Sequence, residues 1–252
     1  MGRYFGVEDF EIFNSDVVRT NGNDIAAKRR IVKNKLLEIN EDIKGTMGVK
    51  DLHNHWKPEH IVSWLTPCEY NKGKVDWIGL RFGRDKDKID ALNFGIGKDE
   101  MLGFQKYNCF QINLCRTGVE MGMFHSVPKD GVDRMYCHQM IRSGDEKFRK
   151  DLVKAVDKIV GYGFVWSVGN DFESDSFSFD DVECSDGCSV GDKFIDWYDR
   201  CDRDGMYSSV LYHFSRFDDR IGSKDLIEVE FLKIVERLGD LYKVMSWKVK
   251  GI

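Results

Sequence analysis

Along residues 74–127 apolar and polar side chains change places at almost every step. Val75, Trp77, Gly79 and Arg81 alternate with Asp76, Ile78, Leu80 and Phe82. A period of two is the mark of a strand with two different faces. The charged run Arg84-Asp85-Lys86-Asp87-Lys88 predicts a turn, residues 89–96 a returning strand, and Lys98-Asp99 the next turn. Residues 107–115 and 119–127 predict two more strands, joined tightly at Arg116-Thr117-Gly118. Their aromatic and β-branched content supports the assignment. Later strands are expected at 163–168 and 206–214, with a short one at 177–179.

Elsewhere the period changes to 3.6. Phe148, Leu152, Val153, Val156, Ile159 and Val160 form one helical stripe, started by Ser143 or Asp145 and stopped by Gly161. Ile227, Phe231, Ile234, Val235, Leu238, Leu241, Tyr242 and Met245 form another. Ile25, Ile31, Val32, Leu36 and Ile39 predict a helix that Asn23 or Asp24 could cap, with Gly45 and Gly48 marking a loop after it. Pro58 suits the first turn of a short helix reaching residue 65, and residues 192–201 suit another. Residues 1–20 read as an extended or irregular arm. The sum is an α+β fold: a mainly antiparallel central sheet (about residues 74–127, with strands near 163–168 and 206–214) covered by helices near 145–160 and 223–247. With neither repeat nor Pro/Gly-rich linker, one domain over residues 1–252 is the simplest organisation.

Composition narrows the class. A chain of 252 residues with 13% aromatics and three prolines can bury a large core and is not a linker or a disordered tail. A net charge of −5 gives no global pull towards nucleic acid or anionic lipid. There is no signal peptide pattern and no apolar run long enough for a membrane span. The seven cysteines then read as reduced thiols of a cytoplasmic protein.

Charge is nonetheless uneven. Lys28, Arg29, Arg30, Lys33 and Lys35 make the first helix basic, a candidate contact surface for a nucleic acid or protein partner. Residues 170–186 are acidic and serine-rich and read as a mobile loop.

Candidate chemistry is sparse. No Cys-x-x-Cys, Gly-x-Ser-x-Gly or phosphate-binding Gly-x-x-x-x-Gly-Lys-Ser/Thr motif is present. Gly95-x-Gly97-Lys98 reads as a turn. Cys184 and Cys188 lack the second pair that a structural zinc needs. His125, Cys137 and His138 form a second potential cluster, with Cys109 or Cys115. The sharpest signal is Asp51-Leu52-His53-Asn54-His55. A His-x-His pair on an extended segment sends both imidazoles to one side, and imidazole suits divalent zinc, iron or nickel. These five residues resemble the opening motif of the PHP-type metal-dependent hydrolases. That resemblance implies a divalent-metal phosphoesterase site at Asp51, His53 and His55, completed by His60 or Glu120. The chain departs from that family in the basic helix before the motif and in the lack of a later Asp-x-His. Two readings follow: a binding or accessory protein without a catalytic centre, and a metal-dependent hydrolase built on His53 and His55.

Overall fold

The computed structural model describes residues 2–13, 23–64, 75–93, 103–125, 131–169, 174–184, 187–202 and 207–248. Seven helices and seven strands are assigned there: α1 (Val7–Glu11), α2 (Asn23–Val49), β1 (Val62–Trp64), β2 (Trp77–Gly83), α3 (Lys86–Leu92), β3 (Cys109–Cys115), β4 (Gly118–Phe124), α4 (Val132–Arg142), α5 (Glu146–Asp157), β5 (Val165–Gly169), β6 (Ser174–Ser178), α6 (Val190–Cys201), β7 (Tyr207–Ser215) and α7 (Lys224–Met245). The strands form one antiparallel sheet in the order β1-β2-β3-β4-β7-β5-β6. The fold is therefore α+β with a mainly antiparallel sheet. No helix among the described residues is long and apolar enough to cross a membrane.

The chain divides into two compact units. Unit 1 comprises Met1–Phe82, Phe110–Met121 and His213–Ile234; unit 2 comprises Gly83–Cys109, Gly122–Tyr212 and Val235–Ile252.

In unit 1, α2 buries Val32, Leu36, Ile39, Ile43 and Met47. Spacings of three and four keep these on one stripe, and Ile43 and Met47 carry the helix through Gly45 and Gly48, where the sequence suggested a loop. The N-terminal arm holds the short helix α1. Its Asp9 carboxylate accepts from the Gly6 amide at 2.9 Å and from Lys35 Nζ at 2.6 Å, fixing α1 to α2. Pro58–His60 forms one turn of 3-10 helix, but residues 62–64 pair with β2 instead of continuing as helix (Ser63 opposite Gly79). Ile78, Leu80 and Phe82 of β2 alternate with Ile112 and Leu114 of β3 and Val119 and Met121 of β4 in an apolar layer. Phe231 of α7 reaches Phe82 there, with ring centroids 6.0 Å apart.

In unit 2, Asp145 caps α5 by accepting from the Phe148 amide at 2.7 Å, as the helical stripe implied. Ser189 caps α6 through the Asp192 amide. Gly191 lets α6 approach α5 closely, since a Cβ there would lie 2.6 Å from Val153 Cα. Trp166, Phe177, Phe179, Phe194 and Tyr198 form an aromatic core between α6 and the β5–β6 hairpin.

Two further differences from the sequence reading stand out. Residues 86–92 are helical (α3), not a turn and a returning strand. Ile89 is the buried residue of this segment, so no alternating face exists to pair. Helix α4 was not anticipated, because its buried side carries Asp133, Arg134 and Cys137 and so shows no apolar stripe. Residues 74, 94–99, 126–127, 170–173, 185–186 and 206, on which parts of the expected strands, turns and acidic loop fall, lie outside the described residues.

Candidate metal centre

The His-x-His segment follows directly on α2. Asp51 adopts the left-handed conformation (φ 61°) that ends many helices, while the Leu52 amide donates back to Met47. His53 Nε2 lies 3.5 Å from Asp51 Oδ1. Asn54 donates to the Arg81 carbonyl at 3.1 Å, fastening the segment to β2. His55 Nδ1 accepts from the Lys57 amide at 3.0 Å, and its ring stacks on Trp56 and meets the edge of His60 at 5.0 Å. Burial, then the neighbouring His60, lowers the His55 pKa and favours the neutral, ligand-competent ring. The structure thus pairs His53 with Asp51 and His55 with His60. No three of these four bring ligand atoms within 4.8 Å of one another among the described residues.

A group of three that does so is Cys115, Glu120 and His213, all in unit 1. It is assembled by strand pairing. Arg116-Thr117 turns β3 into β4, and Cys115 Sγ rests 3.3 Å from Thr117 Oγ1 and 3.5 Å from the Gly118 carbonyl. Strand β7 lies on the other side of β4, held by the Arg216 amide donating to Thr117 O at 3.1 Å. Gly118 permits that approach: a Cβ there would collide with the Phe214 carbonyl oxygen. The result sets His213 Nδ1 3.8 Å from Glu120 Oε1. Cys115 and Glu120 are half-buried and His213 is exposed.

Thiolate, carboxylate and imidazole are the three donor types that zinc takes. Burial raises the Cys115 pKa, and the Glu120 carboxylate raises it further. Without an ion the thiol therefore keeps its proton. A dication would reverse both effects, because its charge offsets one thiolate and one carboxylate.

The same sheet face continues away from these ligands. Alternation along β3 places Gln111 and Asn113 in line with Cys115. They are 2% and 4% exposed, yet Gln111 Oε1 and Asn113 Oδ1 have no hydrogen-bond partner among the described residues. Asn113 leans over Gly79 of β2, where any Cβ would strike its amide oxygen. On β2, Arg81 lies over the Trp77 ring at 4.8 Å.

The expected cluster of His125, Cys137 and His138 lies in unit 2 and is organised differently. Asn108 Nδ2 donates to the Met245 carbonyl at 3.0 Å, so its Oδ1 faces His125 Nδ1 at 2.6 Å as an acceptor. His125 thus carries its proton on Nδ1, and its Nε2 accepts from the Tyr198 hydroxyl at 2.7 Å. Burial drives the His125 pKa down to about 3. His138 stacks on the Tyr198 ring and places Nε2 3.0 Å from Asp202, which also takes Arg134 Nε at 3.0 Å. Cys137 Sγ donates to the Met245 carbonyl, and burial raises its pKa well above the usual thiol range. Both imidazoles are committed to protein partners, and Cys137 behaves as a core thiol.

The basic residues of α2 do not share one surface. Arg29 is 9% exposed on the buried stripe, Lys35 is held by Asp9, and Lys28 and Arg30 are exposed. Among the described cysteines none is paired in a disulfide; Cys184 is exposed and Cys188 contacts Ser189 O.

The Cys115–Glu120–His213 group was only partly legible. Glu120 and Cys115 stand out as candidates in the sequence, but His213 does not, since only the β4–β7 pairing brings it near. The chain matches no protein-family model and no curated protein.

Proposed function

We propose that this chain is an intracellular metal-binding protein whose ion, zinc or a divalent ion of similar softness, is held by Cys115, Glu120 and His213. One observation carries the reading: a thiol, a carboxylate and an imidazole from three neighbouring strands lie within 4.8 Å of one another. Three protein ligands leave a fourth position for water or a ligand, as catalytic zinc sites do, whereas structural sites close with four. An ion held this way lowers the pKa of bound water and polarises a bound carbonyl or phosphoryl oxygen. The binding role comes first; hydrolysis is chemistry that the open position would make available. A thiol ligand must stay reduced, which favours a reducing compartment.

A second reading places the ion at Asp51, His53, His55 and His60. The contact of the His55 and His60 rings and the lowered His55 pKa favour it.

One titration separates the two. Zinc is added to the purified, reduced, metal-free protein against a chromogenic chelator. One ion per chain is expected, with Cys115→Ser, Glu120→Gln and His213→Ala each weakening binding beyond the roughly 10–100-fold cost of losing an outer partner. Tight binding abolished by His55→Ala and His60→Ala, and untouched by His213→Ala, would move the ion to the second site. The Cys115 proton must leave as zinc binds. Its raised pKa therefore makes apparent affinity climb by up to about tenfold per pH unit from pH 6 to 8.

A further inference from the structure

A fourth polar side chain touches the group of three candidate ligands. Thr117 Oγ1 lies 3.3 Å from Cys115 Sγ, and the Gly118 carbonyl oxygen lies 3.5 Å from the same sulfur. Chemistry assigns the protons. A carbonyl oxygen can only accept, so the single thiol proton goes to Gly118, and the Thr117 hydroxyl is left to donate to the sulfur. The hairpin sets this arrangement. Arg116 and Thr117 are all that separates β3 from β4, and the Thr117 carbonyl is tied to β7 through the Arg216 amide at 3.1 Å. A β-branched side chain on so fixed a backbone has few rotamers to choose from. Thr117 is exposed, so core packing does not call for it.

We infer that Thr117 is a positioning residue of the metal site: its hydroxyl donates to the Cys115 sulfur and holds it in the orientation that meets the ion. The inference rests on the metal reading proposed above. The two contacts of the sulfur respond in opposite ways when an ion binds. A metal-bound thiolate has no proton, so it lets go of the Gly118 carbonyl. It accepts the Thr117 hydrogen bond more strongly, since bonds to an ionised acceptor are roughly twice as strong as neutral ones. The same donor offsets part of the repulsion between the thiolate and the Glu120 carboxylate, whose ligand atoms lie within 4.8 Å of each other. Hydrogen bonds to a ligating cysteine sulfur draw charge from it and so tune the metal. An ion on Cys115, Glu120 and His213 then receives less charge from sulfur and is the stronger Lewis acid at its open position.

Cobalt(II) is the probe, because its bond to a thiolate gives a sulfur-to-metal charge-transfer absorption that zinc lacks. Thr117→Val keeps the branched shape and removes the hydroxyl, Thr117→Ala removes both, and Thr117→Ser keeps the hydroxyl. The charge-transfer band of the wild-type protein is expected to move to longer wavelength in Thr117→Val and Thr117→Ala, because a sulfur without its donor holds its electrons less tightly. Zinc affinity, read against a chromogenic chelator, should fall roughly 10–100-fold in the same two variants. Thr117→Ser should keep both readings at the wild-type level. The metal-free variants should melt within about 2 °C of the wild type, as exposed substitutions do, so a weaker grip on the ion is not a looser fold. An unmoved band and unchanged affinity in both hydroxyl-free variants would overturn the inference, and with His213→Ala still weakening binding they would leave the metal reading intact. A Thr117→Ser protein that behaves like Thr117→Ala would assign the effect to the methyl group and overturn it too. A wild-type protein that shows no charge-transfer band with cobalt has no thiolate ligand, and both readings fall together.

Discussion

Asn113 and Asn108 are both asparagines of the sheet region, 4% and 1% exposed, and they meet opposite fates. In unit 2, Asn108 uses its whole amide: it donates to Met245 O and Ser246 Oγ and receives the His125 proton. The bonding continues to Tyr198, so none of these three head groups is left idle. In unit 1, Asn113 and its neighbour Gln111 bury carbonyl oxygens that nothing among the described residues meets. Polar burial by itself therefore says little about function. A completed network specifies a fold, whereas an unmet carbonyl costs stability wherever it is buried.

The sharpest way to break this contrast is to damage the completed network. Asp133, fully buried in unit 2, accepts from the Asn108 amide at 2.7 Å, the Trp247 amide at 2.7 Å and Arg84 at 3.2 Å. Asp133→Ala strands the two amides and leaves Arg84 only the Trp247 carbonyl. It should cost on the order of 3–5 kcal/mol in urea unfolding, and a loss below about 1 kcal/mol would show that the network is not structural.

Acid probes the same network. The buried His125 has its pKa depressed to about 3, against an ordinary value near 6.5. The unfolded chain therefore binds a proton that the folded one refuses. The stability tied to this ring is complete above about pH 6.5 and is lost as pH falls towards 3. Its full size is on the order of 4 kcal/mol. Urea midpoints measured between pH 7 and 4 should fall accordingly, with a shallower slope in His125→Gln. A smaller step sharpens the picture: Tyr198→Phe removes one donor and leaves His125 Nε2 unmet, at about 1–3 kcal/mol. Gln111→Met and Asn113→Leu in unit 1, which remove oxygens that nothing among the described residues meets, should by contrast leave the urea midpoint unchanged or raise it.

How much of this could be read from the chain depends on how each part is encoded. The strands β2 to β4 and the helices α5 and α7 announce themselves because each buries a regular apolar face, and Asp145 even marks where α5 starts. Helix α4 hides because Asp133, Arg134 and Cys137 occupy its buried side, so the periodicity that reveals helices is absent. Strand β1 is too short to show alternation and owes its form to pairing with β2. Asp51 to His55 is visible because its residues are adjacent. The group at Cys115, Glu120 and His213 is made by strand neighbours drawn from distant stretches, and local spacing carries no trace of that. Gln111 and Asn113 look like ordinary polar positions of an alternating strand; only their burial makes them unusual.

Gly118 has a consequence beyond its own turn. Because no side chain can fit between it and the Phe214 carbonyl, the gap between two backbones calibrates how far His213 stands from Glu120. A single methyl inserted at that point would act as a wedge, prying the imidazole away from its partners while leaving every donor atom in place. The capacity to grip an ion would thus be governed from a position that offers no chemistry of its own.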